Sequence, residues 1–181
     1  NEAGNIERAL QTIPRFGSSQ EILFVEGNST DDTWDVIQAM AEKYKDSWDI
    51  QTLQQPGKGK GDAVRAGFAA ATKEVLMILD GDLTVDPTEL PKFYAALTSG
   101  SAEFINGSRL VYPMEKQAMQ LLNMFANKCF GVLFTWLLGQ PVKDTLCGTK
   151  VLRRSDYERI AANRAYFGEF DPFGDFDLLF G

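Results

Sequence analysis

The chain has 181 residues, 44% of them hydrophobic and 24% charged, enough for one globular domain with a buried core. Its net charge of -7 excludes a partner held across a broad basic surface, nucleic acid above all. Histidine is absent, which excludes Ser-His-Asp and Cys-His nucleophile systems, imidazole-bound zinc and the commonest general base.

Taken in chain order, Ile6, Ala9, Leu10 and Ile13 form a short helical stripe over Asn5 to Ile13. Glu21 to Val25 reads as a strand and Glu26 to Thr30 as a polar turn. Ser29 or Thr30 is suited to cap the next helix, with Asp31 and Asp32 in its first turn and Trp34, Ile37, Met40 and Ala41 on its apolar face. Asp49 to Leu53 is an edge strand, followed by the glycine-lysine loop Pro56 to Gly61 and an Ala-rich helix over Asp62 to Thr72. The run Val75 to Leu79 reads as a strand buried on both faces, and it stops abruptly at Asp80-Gly81-Asp82. Asp86-Pro87 begins a helix with Leu90, Phe93, Tyr94 and Leu97 inward, and Glu103 to Gly107 is a strand ending at Ser108-Arg109. Helices and strands thus alternate, which predicts a mostly parallel sheet with helices on both faces.

Tyr112 to Gly139 is richer in Met, Leu and aromatic residues than helices beside a sheet require. Two readings stand: packing under the sheet or against a second copy in a homodimer, and an interfacial segment lying on a membrane surface. Lys116 and Lys128 flank it without forming a polybasic cluster. No stretch has the roughly 18 apolar residues of a spanning helix. Cys129 and Cys147 are too few for a metal knuckle or disulfide framework, so reduced buried thiols are expected. With no signal peptide in view, the expected location is cytoplasmic, peripheral to the membrane or anchored in it through sequence beyond the C-terminal end. The helix-like opening at Asn1 and the apolar close at Leu178-Leu179-Phe180 suggest a piece of a longer polypeptide.

Ligands of open α/β sheets bind beyond the carboxyl ends of the strands. There this chain collects Glu26, the Gly57-Lys58-Gly59-Lys60-Gly61 loop, Asp80-Gly81-Asp82 with Asp86, and Ser108-Arg109. Two carboxylates one residue apart suit a hard divalent cation that itself holds phosphate oxygens. Taken alone, the triplet reads equally as a solvated acidic turn. Glu26 is placed to accept hydrogen bonds from a nucleobase or ribose, or to serve the next helix as a cap. The loop lacks the Walker spacing, but its glycines permit close backbone approach and its lysines meet phosphate charge. Arg109 can grip phosphate with a bidentate fork.

These residues resemble, in order, family 2 glycosyltransferases of the GT-A fold, especially the dolichyl-phosphate mannosyltransferase-like branch. Asn1-Glu2 resembles the tail of a Tyr-Asn-Glu opening whose first strand is missing here, and Val25 to Thr33 resembles a Val-Asp-Asp-Gly-Ser-Thr-Asp-Gly-Thr turn. Gly57-Lys58-Gly59, Leu79 to Leu83, Gly107-Ser108-Arg109 and Val142 to Arg154 resemble the Gly-Lys-Gly, Asp-x-Asp, Gly-Ser-Arg and Asp-x-x-x-Gly-x-x-x-x-Arg-Arg segments. The departures are Glu26-Gly27 in place of paired Asp, Thr84 where Gln is frequent, and a late acidic segment, Phe173 to Asp177, that is only loosely similar.

The resemblance implies a single truncated GT-A catalytic domain over 1–181, a Rossmann-like α/β nucleotide-diphospho-sugar transferase. Residues 1–111 would be the donor half and 112–181 the acceptor half. The donor would contact Glu2, Val25, Glu26, Lys60, Asp80, Gly81 and Arg109. Asp82, with Asp80, would ligate Mg²⁺ or Mn²⁺. Inversion at the anomeric carbon would follow by the same resemblance. A polyprenyl phosphate acceptor would need no general base, whereas a sugar hydroxyl would need a carboxylate such as Asp175 or Asp177. A non-catalytic sugar-nucleotide-binding or scaffold domain is the competing reading. A nucleotidyltransferase lacks its Gly-rich, Arg-containing signature near Asn1 to Leu10. A flavodoxin-like binding domain leaves the glycine-lysine loop unexplained.

Overall fold

A computed structural model describes residues 1–107, 131–132, 135–136, 139, 147–163 and 178. Helix α1 spans Ala3–Thr12 and buries Ile6, Ala9 and Leu10, the i, i+3, i+4 stripe of an amphipathic helix. It ends where Pro14 pushes Ile13 into an extended conformation (φ -62°, ψ 118°). Strand β1, Glu21–Glu26, and β2, Asp49–Gln54, pair in parallel from Glu21↔Asp49 to Glu26↔Gln54. Helix α2, Thr33–Tyr44, supplies the crossover that parallel neighbours need. Its start corrects the capping expectation. Asp31, not Ser29 or Thr30, bonds the Thr33 amide (3.2 Å) and hydroxyl (2.5 Å), while Ser29 and Thr30 face Glu26 and Asn1.

Helix α3 spans Lys60–Ala70, two residues earlier than the Ala-rich pattern predicts, which moves Lys60 from loop to helix. Its Gly67 lies under β1, where a Cβ would come within 3.1 Å of Val25 Cγ2. Strand β3 is Val75–Met77, followed by a 3₁₀ turn at Pro87–Glu89, helix α4 at Leu90–Thr98 and strand β4 at Phe104–Asn106. Strand β5, Lys150–Arg153, lies between β3 and β4 and runs antiparallel to both. Helix α5, Arg154–Asn163, follows directly.

The α/β architecture is the expected one. Strand β5 is an addition that the helix–strand alternation does not predict, because a four-residue strand between a loop and a helix carries little periodic signal. The β3 run is buried unevenly: Leu76 and Ile78 are buried, whereas Val75, Met77 and Leu79 are half-buried. The strands form two sheets, parallel β1–β2 and antiparallel β3–β5–β4, and Leu76 and Leu152 of the second join Phe68, Ile78, Tyr157 and Leu178 in a buried cluster. Phe68 and Tyr157 meet edge-on at 4.9 Å between ring centroids.

The end where β3 begins is clamped by charge. Arg154 donates to the Ala71 carbonyl and, through Nε and a terminal nitrogen at 3.0 Å each, to the Lys73 carbonyl. Arg153 pairs with Glu74 at 2.5 Å. Glu21 accepts the Thr72 and Lys73 amides at 2.5 and 3.0 Å and the Thr72 hydroxyl at 2.7 Å. These bonds tie the α3–β3 turn to β1 and β5, and leave the opposite strand ends to carry the polar residues of interest.

Candidate functional site

Glu26 closes β1 with its side chain 5% exposed. The Ser29 amide donates to Glu26 Oε1 at 2.5 Å, and the Glu26 carbonyl accepts the Gln55 amide at 2.9 Å. The Ser29 amide, above all, holds the Glu26 carboxyl below its ordinary range; burial opposes it, and the Ser29 hydroxyl, the Asn28 amide and the Gln54 side chain add to it. Glu26 is therefore an ionised anchor for the turn that follows, with Asn28 in the left-handed region (φ 62°). Val25 turns its side chain toward α3, away from this edge.

The start of α1 is bound to the same turn. The Thr30 amide donates to Asn1 Oδ1 at 2.8 Å and the Glu2 amide to Thr33 Oγ1 at 3.0 Å. Asn5 holds Glu2 Oε2 at 2.7 Å. Glu2 reaches the acidic turn too, since a Cβ on Gly81 would stand 3.4 Å from Glu2 Cγ.

Asp80-Gly81-Asp82-Leu83 is a tight turn in which the Asp80 carbonyl accepts the Leu83 amide at 3.0 Å. Leu83 is buried at φ 51°, a conformation that costs an L-residue energy and marks sites held by their surroundings. Asp82 is exposed, with Oδ1 accepting the Thr84 amide at 2.9 Å and the Thr84 hydroxyl. Asp80 Oδ1 pairs with Lys60 Nζ at 2.7 Å. Asp86, the third acid near the pair, caps the 3₁₀ turn: it accepts the Thr88 amide at 2.9 Å and hydroxyl at 2.7 Å. Those bonds, the hydroxyl first, hold its carboxyl below the usual range.

The glycine-lysine loop is shaped by its neighbours. Asn28 Nδ2 and Gln55 Nε2 each donate to the Gly57 carbonyl at 3.3 Å, and the Gly57 amide donates to Asp62 Oδ2 at 2.7 Å. That amide is thus engaged within the protein. Gly59 takes φ 83° to begin α3, a value that favours glycine. Lys58 is exposed and makes no ion pair among the described residues.

The loop before β5 completes the edge. Ile78 donates to the Lys150 carbonyl and Gly107 to the Thr149 carbonyl, both at 2.9 Å. A Cβ on Gly107 would stand 2.9 Å from Cys147 Sγ, and Cys147 is a buried thiol as expected. Lys150 is fully buried with Nζ on the Cys147 carbonyl. Gly148 lies so near the Lys60–Asp80 pair that a Cβ there would overlap both charged groups. Sequence reasoning assigned this glycine no contact. Its only signal was its place in the Asp144-to-Arg154 segment, since its partners are far away in sequence.

Glu2, Glu26, Lys60, Asp80, Gly81 and Asp82 are thus brought to one edge, whereas Val25 contributes only its backbone there. Arg109, Asp175 and Asp177 lie outside the described residues, as do Lys116, Lys128 and Cys129. Among the described residues no group of three metal-ligating side chains forms a cage. Two carboxylates remain, one of which already attracts a cationic group. Such a donor set fits a small hard ion that keeps waters and takes its other ligands from phosphate.

A sequence model of Glycosyl transferase family 2 matches residues 1–161. The chain is 28% identical over 169 residues to a dolichol-phosphate mannosyltransferase of Pyrococcus furiosus, covering 90% of this chain and 46% of the relative. It is 30% identical over 155 residues to a dolichyl-phosphate hexose transferase of Haloferax volcanii, covering 85% and 63%. An undecaprenyl-phosphate 4-deoxy-4-formamido-L-arabinose transferase of Pectobacterium carotovorum is 28% identical over 128 residues, covering 70% and 39%. The chain spans about half the length of the first of these curated relatives. A family match across the strands and turns that build the site leaves one assignment: this chain belongs to glycosyl transferase family 2, with relatives in the dolichyl-phosphate mannosyltransferase-like branch, and has its GT-A fold.

Proposed function

We propose that the protein transfers a sugar from a nucleotide-diphospho-sugar to a polyprenyl phosphate, with inversion and with Mg²⁺ or Mn²⁺ at the Asp82–Asp80 turn. The observation that carries this reading is the Lys60–Asp80 pair beside Asp82 at the end of β3, in a chain whose relatives are named for lipid-phosphate acceptors. Glu26 and Glu2 line the nucleoside end of the site, and Asp80 sits between them and the diphosphate. The metal, when bound, supplies positive charge against the charge that builds on the departing nucleoside diphosphate. Lys60 adds a mobile cation on the same oxygens, and Arg109 a bidentate one.

A polyprenyl phosphate is already an anion near neutral pH, so this chain needs no base to activate it. That suits a protein without histidine. Asp175 or Asp177 would take a proton only if the acceptor were a hydroxyl. The acceptor half would meet the membrane surface through the segment around Val132 and Trp136, which are 72% and 78% exposed. No helix among the described residues is long and apolar enough to cross a membrane.

The test is a panel of nucleotide-sugars offered with Mn²⁺ and a polyprenyl phosphate, followed by thermal shift and product formation. One donor should raise the melting temperature only with the metal and yield a glycosyl lipid phosphate. Binding without product on every acceptor would leave a sugar-nucleotide-binding domain instead.

A further inference from the structure

Lys60 Nζ lies 2.7 Å from Asp80 Oδ1, the two side chains being 35% and 29% exposed. A Cβ on Gly148 would overlap both groups, so the pair occupies the space a side chain there would take. The neighbouring charges do not compete for this lysine: Asp62 is taken by the Gly57 amide at 2.7 Å and by Arg65 at 3.9 Å. Asp82 is engaged by Thr84. Lys58 is exposed and makes no ion pair among the described residues, so Lys60 is the ammonium delivered to the acidic turn.

An ammonium in hydrogen-bond contact with a carboxylate repels a divalent ion approaching that carboxylate. At such separations the repulsion exceeds what a part-exposed ion pair contributes. Lys60 therefore weakens metal binding at Asp80 in this geometry. A lysine is a compact charge on a flexible stem, free to turn to another anion without moving the helix that bears it.

We propose that Lys60 is an exchangeable counter-ion: it holds Asp80 while the donor is absent and passes to the diphosphate as the metal takes Asp80. This positioning role rests on the function proposed above. Charge stays matched at both stages. Before loading, the carboxylate faces one ammonium; after loading, it faces the divalent ion, and the ammonium faces the diphosphate. The consequence is coupling, in which the metal binds poorly alone and well together with the nucleotide. A side chain at position 148 would displace the two side-chain ends that form the pair.

The experiment measures Mn²⁺ binding to the full-length protein by the free-ion paramagnetic resonance signal, and then UDP and GDP binding in saturating Mn²⁺. Lys60→Gln should tighten Mn²⁺ alone about fivefold, the reverse of what loss of a phosphate contact does. The same variant should weaken the nucleoside diphosphate about tenfold. Lys60→Arg, which keeps the charge, should behave as the parent in both. Because Lys60 is partly exposed, these variants should fold, and unchanged circular dichroism checks it. Unchanged or weaker Mn²⁺ binding in Lys60→Gln, with Asp82→Asn still weakening it, overturns the exchange and spares the metal reading. If Asp82→Asn does not weaken Mn²⁺ either, both fall.

Discussion

At the end where β3 begins, Arg154 donates to the Ala71 and Lys73 carbonyls and Glu21 accepts the Thr72 and Lys73 amides. At the opposite end, Lys60 and Asp80 bond mainly to each other. The first set of charges binds carbonyls and amides of the α3–β3 turn, so removing them would take those bonds from exposed and part-buried backbone groups. The second set can exchange partners without disturbing a helix or strand. Charge that satisfies backbone holds the fold, and charge that satisfies charge is available for ligand.

That contrast can be broken or sharpened by measurement. Asp82→Ala should lower turnover by about a hundredfold and remove the Mn²⁺-dependent part of the nucleotide thermal shift, while the apoprotein melts as before. A lowered apoprotein melting temperature would place Asp82 with the structural charges. Arg154→Ala should do the opposite, costing about 2 kcal/mol in denaturant unfolding with turnover per folded molecule retained. Joint replacement of Val132 and Trp136 by Ser should weaken liposome binding by about tenfold or more, with no loss of solubility. Loss of solubility would instead show these side chains to be packed against protein.

The smallest effect is expected at Glu21. Burial raises its carboxyl, but the Thr72 hydroxyl and the Thr72 and Lys73 amides, with the Lys73 charge, outweigh it and set the folded value below the ordinary one. Its contribution is therefore complete above the unfolded carboxylate range and is lost as pH falls through the folded value. Glu21→Gln should cost about 1 kcal/mol at neutral pH, after allowance for solvent, and flatten the loss of stability below about pH 4.3. An equally steep acid profile in that variant would move the effect to Glu26, whose carboxyl is shifted the same way.

Much of the fold was legible because it rests on local patterns. The i, i+3, i+4 stripe of α1, the stop at Pro14, and the apolar run of β3 all appear within a few residues. The acid pair was legible for the same reason, being a sharp chemical change at the end of a strand. What escaped was non-local. Strand β5 is short, and its reason to exist is the space between β3 and β4. Ser29 and Thr30 look like helix caps in sequence, but Glu26 and Asn1 compete for them in space.

By itself, then, the sequence determined the α/β character, the acidic turn and the family resemblance, because periodicity and motif order are properties of neighbours along the chain. Only the tertiary structure decided that Lys60, and not Lys58, meets Asp80, and that a side chain at position 148 would displace that pair. Both follow from contacts between segments far apart in sequence: Asp80 with Lys60 across the α3–β3 edge, and the loop before β5 lying on the pair. Spacing along a chain cannot report which lysine a helix start will aim at a carboxylate, nor which glycine will lie beneath them.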